Sequence, residues 1–255
     1  MFNPALPFQT LLRKEIHRFF TIWIQAILTP VITTSLYIVI FGLTVGQQIK
    51  VGDGISYLTF IIPGLMMMGI VNNSAMSSWG TIFIGKLNGY FNEMLIAPLS
   101  YFELAMAYIL TGVTRGLVVG TIIWLVSLPF GGPIPIHPFY ALTIAVLSAC
   151  IFSCSGIIVA IWAKDFDQMG GFNTFILLPL VYLGGVFYSL KLLPGVWADV
   201  SRFNPIFYMI DGLRFGFFGA SDSNPALAMS VALILATGLT VTCVWIFQSG
   251  WKLRS

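Results

Sequence analysis

One stretch has the spacing to hold a nucleotide. Gly80-Thr81-Ile82-Phe83-Ile84-Gly85-Lys86 matches the opening of a phosphate-binding loop. In that loop backbone N–H groups cradle the phosphates, the Lys reaches their oxygens, and a following Ser or Thr hydroxyl holds magnesium. Here the next residue is Leu87, and the stretch closes an apolar run instead of joining a strand to a helix. Nucleotide binding is not expected from it. Other reactive constellations are missing too: the chain has no His-Glu-x-x-His, no Gly-x-Ser-x-Gly and no paired carboxylates inside an apolar run. His17 and His137 are far apart, and Cys150, Cys154 and Cys243 sit in apolar runs. Neither set has metal-ligand spacing, and the cysteines give no disulfide framework. No catalytic residues and no metal site are expected, so the chain reads as a non-enzyme.

One ionisable residue does stand where it is costly. Arg115 lies inside a long apolar run, and a cation at membrane depth tends to face a bundle interior or a water-filled space. Gly112, Gly116 and Gly120 surround it at helical spacing, which permits close helix contact. Arg115, Gly112 and Gly116 are therefore candidates for a substrate path or a subunit interface. The alternative is a structural arginine satisfied by helix carbonyls or by another loop.

The elements that must position these residues are set by composition. The 255 residues are 58% hydrophobic and 8% charged, with mean hydropathy +0.93. A water-soluble domain carries about 25% charged residues to cover its surface. This chain must instead be an all-α integral membrane protein. Its net charge of +3 is too small to argue for nucleic acid.

A span needs about 20 mostly apolar residues. Six are expected, at 22–45, 57–84, 102–128, 139–163, 169–189 and 225–247, forming a single transmembrane domain over 1–255. Pro30 is tolerable in the first as a kink. The first apolar run continues too far for a secretory signal, and no small-residue cleavage site follows it, so that span is expected to stay. Arg13, Lys14, Arg18, Lys86, Lys164, Lys252 and Arg254 fall on one side, and Lys50, Lys191, Arg202 and Arg214 on the other. Basic residues favour the cytoplasmic side, so both termini are expected there.

Three segments fail to span. Residues 6–20 read as an amphipathic interface helix, with Phe8, Leu11, Leu12, Ile16, Phe19 and Phe20 on one face and Arg13, Lys14, His17 and Arg18 on the other. Glu15 falls on the apolar face, where it either pairs locally with Arg18 or meets a partner or the loop after the second span. Residues 87–99 are too polar to span and too apolar for a free loop. Tyr90, Phe91, Met94, Leu95 and Ile96 form a ridge, Glu93 is its one charge, and Ala97-Pro98 ends it. A short helix here would present apolar side chains to a soluble partner; otherwise it lies on the headgroups. Residues 190–218 form the third. Asn204-Pro205 can cap a helix over 206–218 that is too short to cross and suits a re-entrant position. Asp211 and Arg214, three apart, can pair on its face.

These residues carry a resemblance. Ile62-Pro63-Gly64, Asn92-Glu93-Met94-Leu95-Ile96-Ala97-Pro98-Leu99-Ser100, Tyr182-Leu183-Gly184-Gly185-Val186-Phe187-Tyr188-Ser189 and the stretch from Phe203-Asn204-Pro205-Ile206 through Arg214 resemble the ABC-2 type permeases, membrane subunits of bacterial exporters. The resemblance covers nearly the whole chain. It implies that 6–20 is a cytoplasmic connecting helix bearing Arg13, Lys14, Glu15 and Arg18. It implies that 87–99 is the coupling helix, with Glu93, Met94, Leu95, Ile96 and Pro98 docking on an ATPase. It implies that 190–218, with Asn204, Pro205, Asp211 and Arg214, is a pair of external re-entrant helices. Two permease and two ATPase subunits would assemble in the inner membrane, with ATP and magnesium on the ATPase, no cofactor on this chain, and lipids around it. The expected substrate is hydrophobic or amphipathic, a drug or lipid. The alternatives are a polysaccharide or glycolipid exporter subunit, or a stand-alone ion-coupled carrier or membrane enzyme.

A reporter fused after Ser255 is expected to be active in the cytoplasm, and activity outside would overturn the topology.

Overall fold

In a computed structural model, residues 5–21, 24–41, 50–51, 55–89, 91 and 99–252 are described. Among the described residues the regular structure is helical, apart from one two-residue antiparallel pairing, Lys50–Val51 with Ile55–Ser56, registered Lys50 to Ser56. Helix α1 is Ala5–Thr21. A π-turn, Ile24–Leu28, leads into α2, Thr29–Ile40. Then come α3, Tyr57–Leu87, α4, Tyr101–Phe130, and α5, Pro138–Trp162. The run 166–183, here α6, is Phe166–Gly171, a π segment Phe172–Leu177, and Leu178–Leu183. It is followed by α7, Gly195–Phe203, α8, Pro205–Phe218, and α9, Pro225–Ser249.

Four of these helices, α3, α4, α5 and α9, are long and apolar enough to cross a membrane. At 1.5 Å per residue, the 25 residues of α5 or α9 reach about 37 Å, against a hydrocarbon core of about 30 Å. The described apolar helix of the first expected span is shorter, Ala26–Ile40. The fifth, expected over 169–189, starts at Phe166 and stops at Leu183. Gly185 then adopts φ +85°, a left-handed turn that ends the helix.

The helix starts follow from local chemistry. Ser100 and Glu103 form a reciprocal capping box at α4. The Asp165 carboxylate accepts from Gln168 N–H at 2.7 Å to open α6. Asn204 and Asn224 each cap a helix with Pro at its first position.

Two apolar clusters run along the bundle. One gathers Ile61, Met67, Ile144, Ile210 and Leu213 toward the α8 end. The other gathers Leu11, Phe83, Tyr108, Ile157 and Phe247 toward the α1 end. Val113, Cys150, Phe172 and Leu239 pack against both. Between them the helices approach through small residues. A Cβ on Gly112 would fall 2.7 Å from Ser153 Cβ, and one on Gly156 would fall 2.2 Å from the Ala75 carbonyl oxygen. The glycine face of α4 is thus filled by α3 and α5 of the same chain.

At the α8 end, three of the sequence motifs converge on the turn after α6. Gly64 faces it, with its Cβ position 2.6 Å from Val186 O. Arg214 is 3% exposed; its Nη2 donates to Gly185 O at 2.6 Å and Val186 O at 3.1 Å. Its guanidinium lies 3.8 Å from the Phe60 ring centroid. Tyr57 Oη donates to Phe187 O at 2.9 Å, and Asn204 Nδ2 to Leu180 O at 2.6 Å.

Two stability measurements check this packing. Gly112→Leu must displace Ser153 and is expected to destabilise the purified protein by roughly 1–3 kcal/mol, whereas Gly238→Ala, with open space around it, is expected to be tolerated. Arg214→Met strands two buried carbonyls and is expected to cost roughly 1–3 kcal/mol or more, read as a lower melting temperature; an unchanged value would refute the anchoring role.

Candidate functional site

A cavity of about 310 Å³ opens between α2, α3 and α4. Its depth follows from helix length. Asn72 has fifteen residues of α3 on either side, and Arg115 has fourteen residues of α4 before it and fifteen after. Both sit at the midpoint of a membrane-length helix. The polar lining is Thr29, Thr33, Thr34, Tyr37, Asn72, Asn73 and Arg115, and Leu65, Met68 and Ile123 are among the apolar wall.

Polar side chains at this depth are costly unless they are satisfied. The amides are partly met by their own helix: Asn72 Nδ2 donates to Met68 O at 3.0 Å, and Asn73 Nδ2 to Gly69 O at 3.1 Å. Arg115 Nε is buried without a hydrogen-bond partner among the described residues. The Arg115 guanidinium lies 5.7 Å from the Phe19 ring centroid, within cation–π range. Gly112 and Gly116, expected beside Arg115, point elsewhere, against Ser153 and Ser74. The arrangement can hold a small polar group at mid-depth with apolar wall around it. The Asn72-Asn73 pair was not singled out from the sequence, although adjacent amides inside an apolar run are the signal that finds it.

A second cluster fastens α1 to the far end of α3. Glu15, 2% exposed, accepts from Thr81 Oγ1 at 2.7 Å and lies 3.6 Å from Arg18 Nη2. Arg18 Nη1 donates to Gly80 O at 3.0 Å, and its Nη2 bonds Thr81 Oγ1. Glu15 thus lies beside Arg18 as the local reading expected, and its other contact is Thr81 inside α3, not a residue of the loop after that span. Gly80 and Thr81 sit in a π-turn, Trp79–Phe83, so the stretch resembling a phosphate loop is a helix end already occupied by α1. Arg13 and Lys14 lie exposed on the opposite face of α1. A few residues on, Lys86 Nζ donates to Ile161 O at 2.7 Å, at the basic-residue-friendly C-terminus of α5. Glu93, Met94, Leu95, Ile96 and Pro98 lie outside the described residues.

At the α8 end, Asp211 and Arg214 do not pair with each other. Asp211, 1% exposed, accepts from Asp222 N at 2.8 Å and Ser223 N at 2.7 Å, and from the Ser223 hydroxyl. It ties the loop before α9, while Arg214 ties the turn after α6. Pro205 opens α8 behind the Asn204 cap, whose Oδ1 accepts from Ile206 N at 3.0 Å. No group of three or more His, Cys, Asp or Glu residues that could hold a metal occurs among the described residues.

The family profile for the ABC-2 type transporter matches residues 7–218. The inner membrane transport permease YadH of Escherichia coli (strain K12) is 42% identical over 244 residues, 95% of this chain and 94% of that protein. Nodulation protein J of Rhizobium leguminosarum bv. viciae is 24% identical over 201 residues, 77% of each chain. The profile match takes in α2 through α8, with the cavity and the α8 anchor, and this chain belongs to the ABC-2 type transporter family.

Proposed function

We infer that this chain is the transmembrane subunit of an ATP-driven exporter in a bacterial inner membrane, moving a hydrophobic or amphipathic substrate outward. The carrying observation is the cavity of about 310 Å³ with polar walls at the midpoint of α3 and α4. A binding site halfway across, open to rearranging helices, is what a transport path requires. Family membership and the name of the 42% identical permease support the transport role and the inner membrane.

In this reading α2 and α6 are the first and fifth of six spans, α7 and α8 re-enter from outside, and both termini are cytoplasmic. The basic residues favour that orientation: Arg13, Lys14, Arg18, Lys86, Lys164 and Lys252 belong to the α1 end. Energy comes from a separate ABC ATPase, with ATP and magnesium bound there. Two permeases and two ATPases form the complex. Residues 87–99 dock on the ATPase through Glu93, Met94, Leu95, Ile96 and Pro98, directly beyond the α3 end that α1 clasps. The rival reading, an ion-coupled carrier, needs carboxylates deep in the spans. In α3, α4, α5 and α9 the sequence has only Glu103, in the first turn of α4.

Affinity capture of the tagged full-length chain from its native membrane is expected to co-purify an ABC ATPase. Glu93→Lys, or Met94→Ala with Leu95→Ala, is expected to abolish that capture while leaving the permease in the membrane. Undiminished capture by these variants would remove the coupling assignment. Absence of any ATPase from the wild-type capture would remove the transporter-subunit reading.

A further inference from the structure

We propose that the mid-depth cavity selects substrates carrying an anionic group on an apolar body, with Arg115 as the residue that receives the anion. The proposal rests on the transport reading above and names the chemistry of its cargo.

Among the described residues, no carboxylate pairs with Arg115. Arg115 stands at the midpoint of α4 and lines the cavity. An uncompensated cation at this depth is costly. Such residues normally pair with a carboxylate or with backbone carbonyls. Among the described residues no acceptor is recorded for Arg115, and its Nε is buried and unpartnered.

Of the nine acidic residues in the sequence, those described are bonded elsewhere or stand at a helix start. Glu15 holds Thr81 and Arg18. Glu103 caps α4, Asp165 caps α6, and Asp199 pairs with Arg202. Asp211 holds Asp222 N and Ser223 N, and Asp222 pairs with Lys191. Asp167 lies in the first turn of α6, Asp53 precedes α3, and Glu93 follows it. None belongs to the middle of a span.

The neighbours of Arg115 suit the other half of the ligand. Leu65, Met68 and Ile123 line the cavity on the α3 and α4 sides, and Thr33, Thr34 and the Asn72 and Asn73 amides give it uncharged polar atoms. A guanidinium fork in low dielectric, flanked by amides and hydroxyls, matches a phosphate, sulfate or carboxylate. The apolar walls match an attached chain or ring. A neutral lipophile would leave the guanidinium unmet, and a cationic one would meet repulsion.

The test uses the full-length protein in maltoside micelles and radiolabelled dodecyl phosphate as probe, read by scintillation proximity. Wild type is expected to bind saturably. Arg115→Gln is expected to bind about ten- to a hundredfold more weakly, the loss of one charge-assisted hydrogen-bonding partner. Arg115→Lys is expected to fall between the two, because it keeps charge and loses the fork. Arg202→Gln, remote from the cavity, is expected to bind like wild type, which excludes a general charge effect on micelle partitioning. Excess unlabelled dodecyl phosphate is expected to displace the probe, while dodecyltrimethylammonium and inorganic phosphate are not. Equal affinity in wild type and Arg115→Gln, with both proteins monodisperse, overturns the proposal. So does displacement by dodecyltrimethylammonium, or by inorganic phosphate alone, to the same extent as by dodecyl phosphate. Capture of the ATPase by the same preparations is read separately, so failure here leaves the transport reading standing.

Discussion

The fold depends on how it satisfies backbone that stops being helical inside an apolar protein. Where α6 ends at Leu183, the carbonyls of Gly185, Val186 and Phe187 lose their helix partners. Such groups cost several kcal/mol in a medium without water. Arg214 and Tyr57 take them, and Gly64 lets the turn approach α3 closely enough for that to happen. The rings of Tyr37, Phe41 and Tyr182 then close around Phe187. One turn thereby fixes α2, α3, α6 and α8 relative to one another.

The opposite end is fixed by charge instead of by backbone. In the Glu15, Arg18 and Thr81 cluster the carboxylate meets a hydroxyl and a guanidinium, so a carboxylate 2% exposed is tolerable. The π-turn at Trp79–Phe83 is what presents the Gly80 carbonyl and the Thr81 hydroxyl to α1. A π-turn adds a residue to the local repeat and frees backbone acceptors, which is why such turns collect at contacts of this kind. Between the two ends lies the layer of glycine and serine that lets α3, α4 and α5 touch, and beside it the cavity.

Hydropathy and periodicity made much of this legible. α3, α4, α5 and α9 each coincide with an apolar run to within a few residues, because a membrane helix must satisfy its own backbone and so writes its length into composition. The amphipathic α1 and the Asn-Pro starts of α8 and α9 are local patterns and read directly. Tertiary choices were less legible. Asp211 and Arg214, three apart on one helix, could have paired with each other, and nothing local says that each instead holds a different loop. The partner of Glu15 is 66 residues away. The glycines around Arg115 lie on a different face of α4 from the guanidinium, a distinction that spacing alone implies but does not resolve until the neighbouring helices are placed.

The bond from Lys86 to Ile161 O has a mechanical meaning. It joins the last turn of α3 to the last turn of α5, so these two long helices share a common footing next to residue 88. A push delivered there is borne by two struts rather than one. α5 packs in turn against α4, α8 and α9. Displacement at a single surface segment is thus geared to most of the bundle, including the helix that carries Arg115, through this bond together with the direct packing of α3 on α4 and α5.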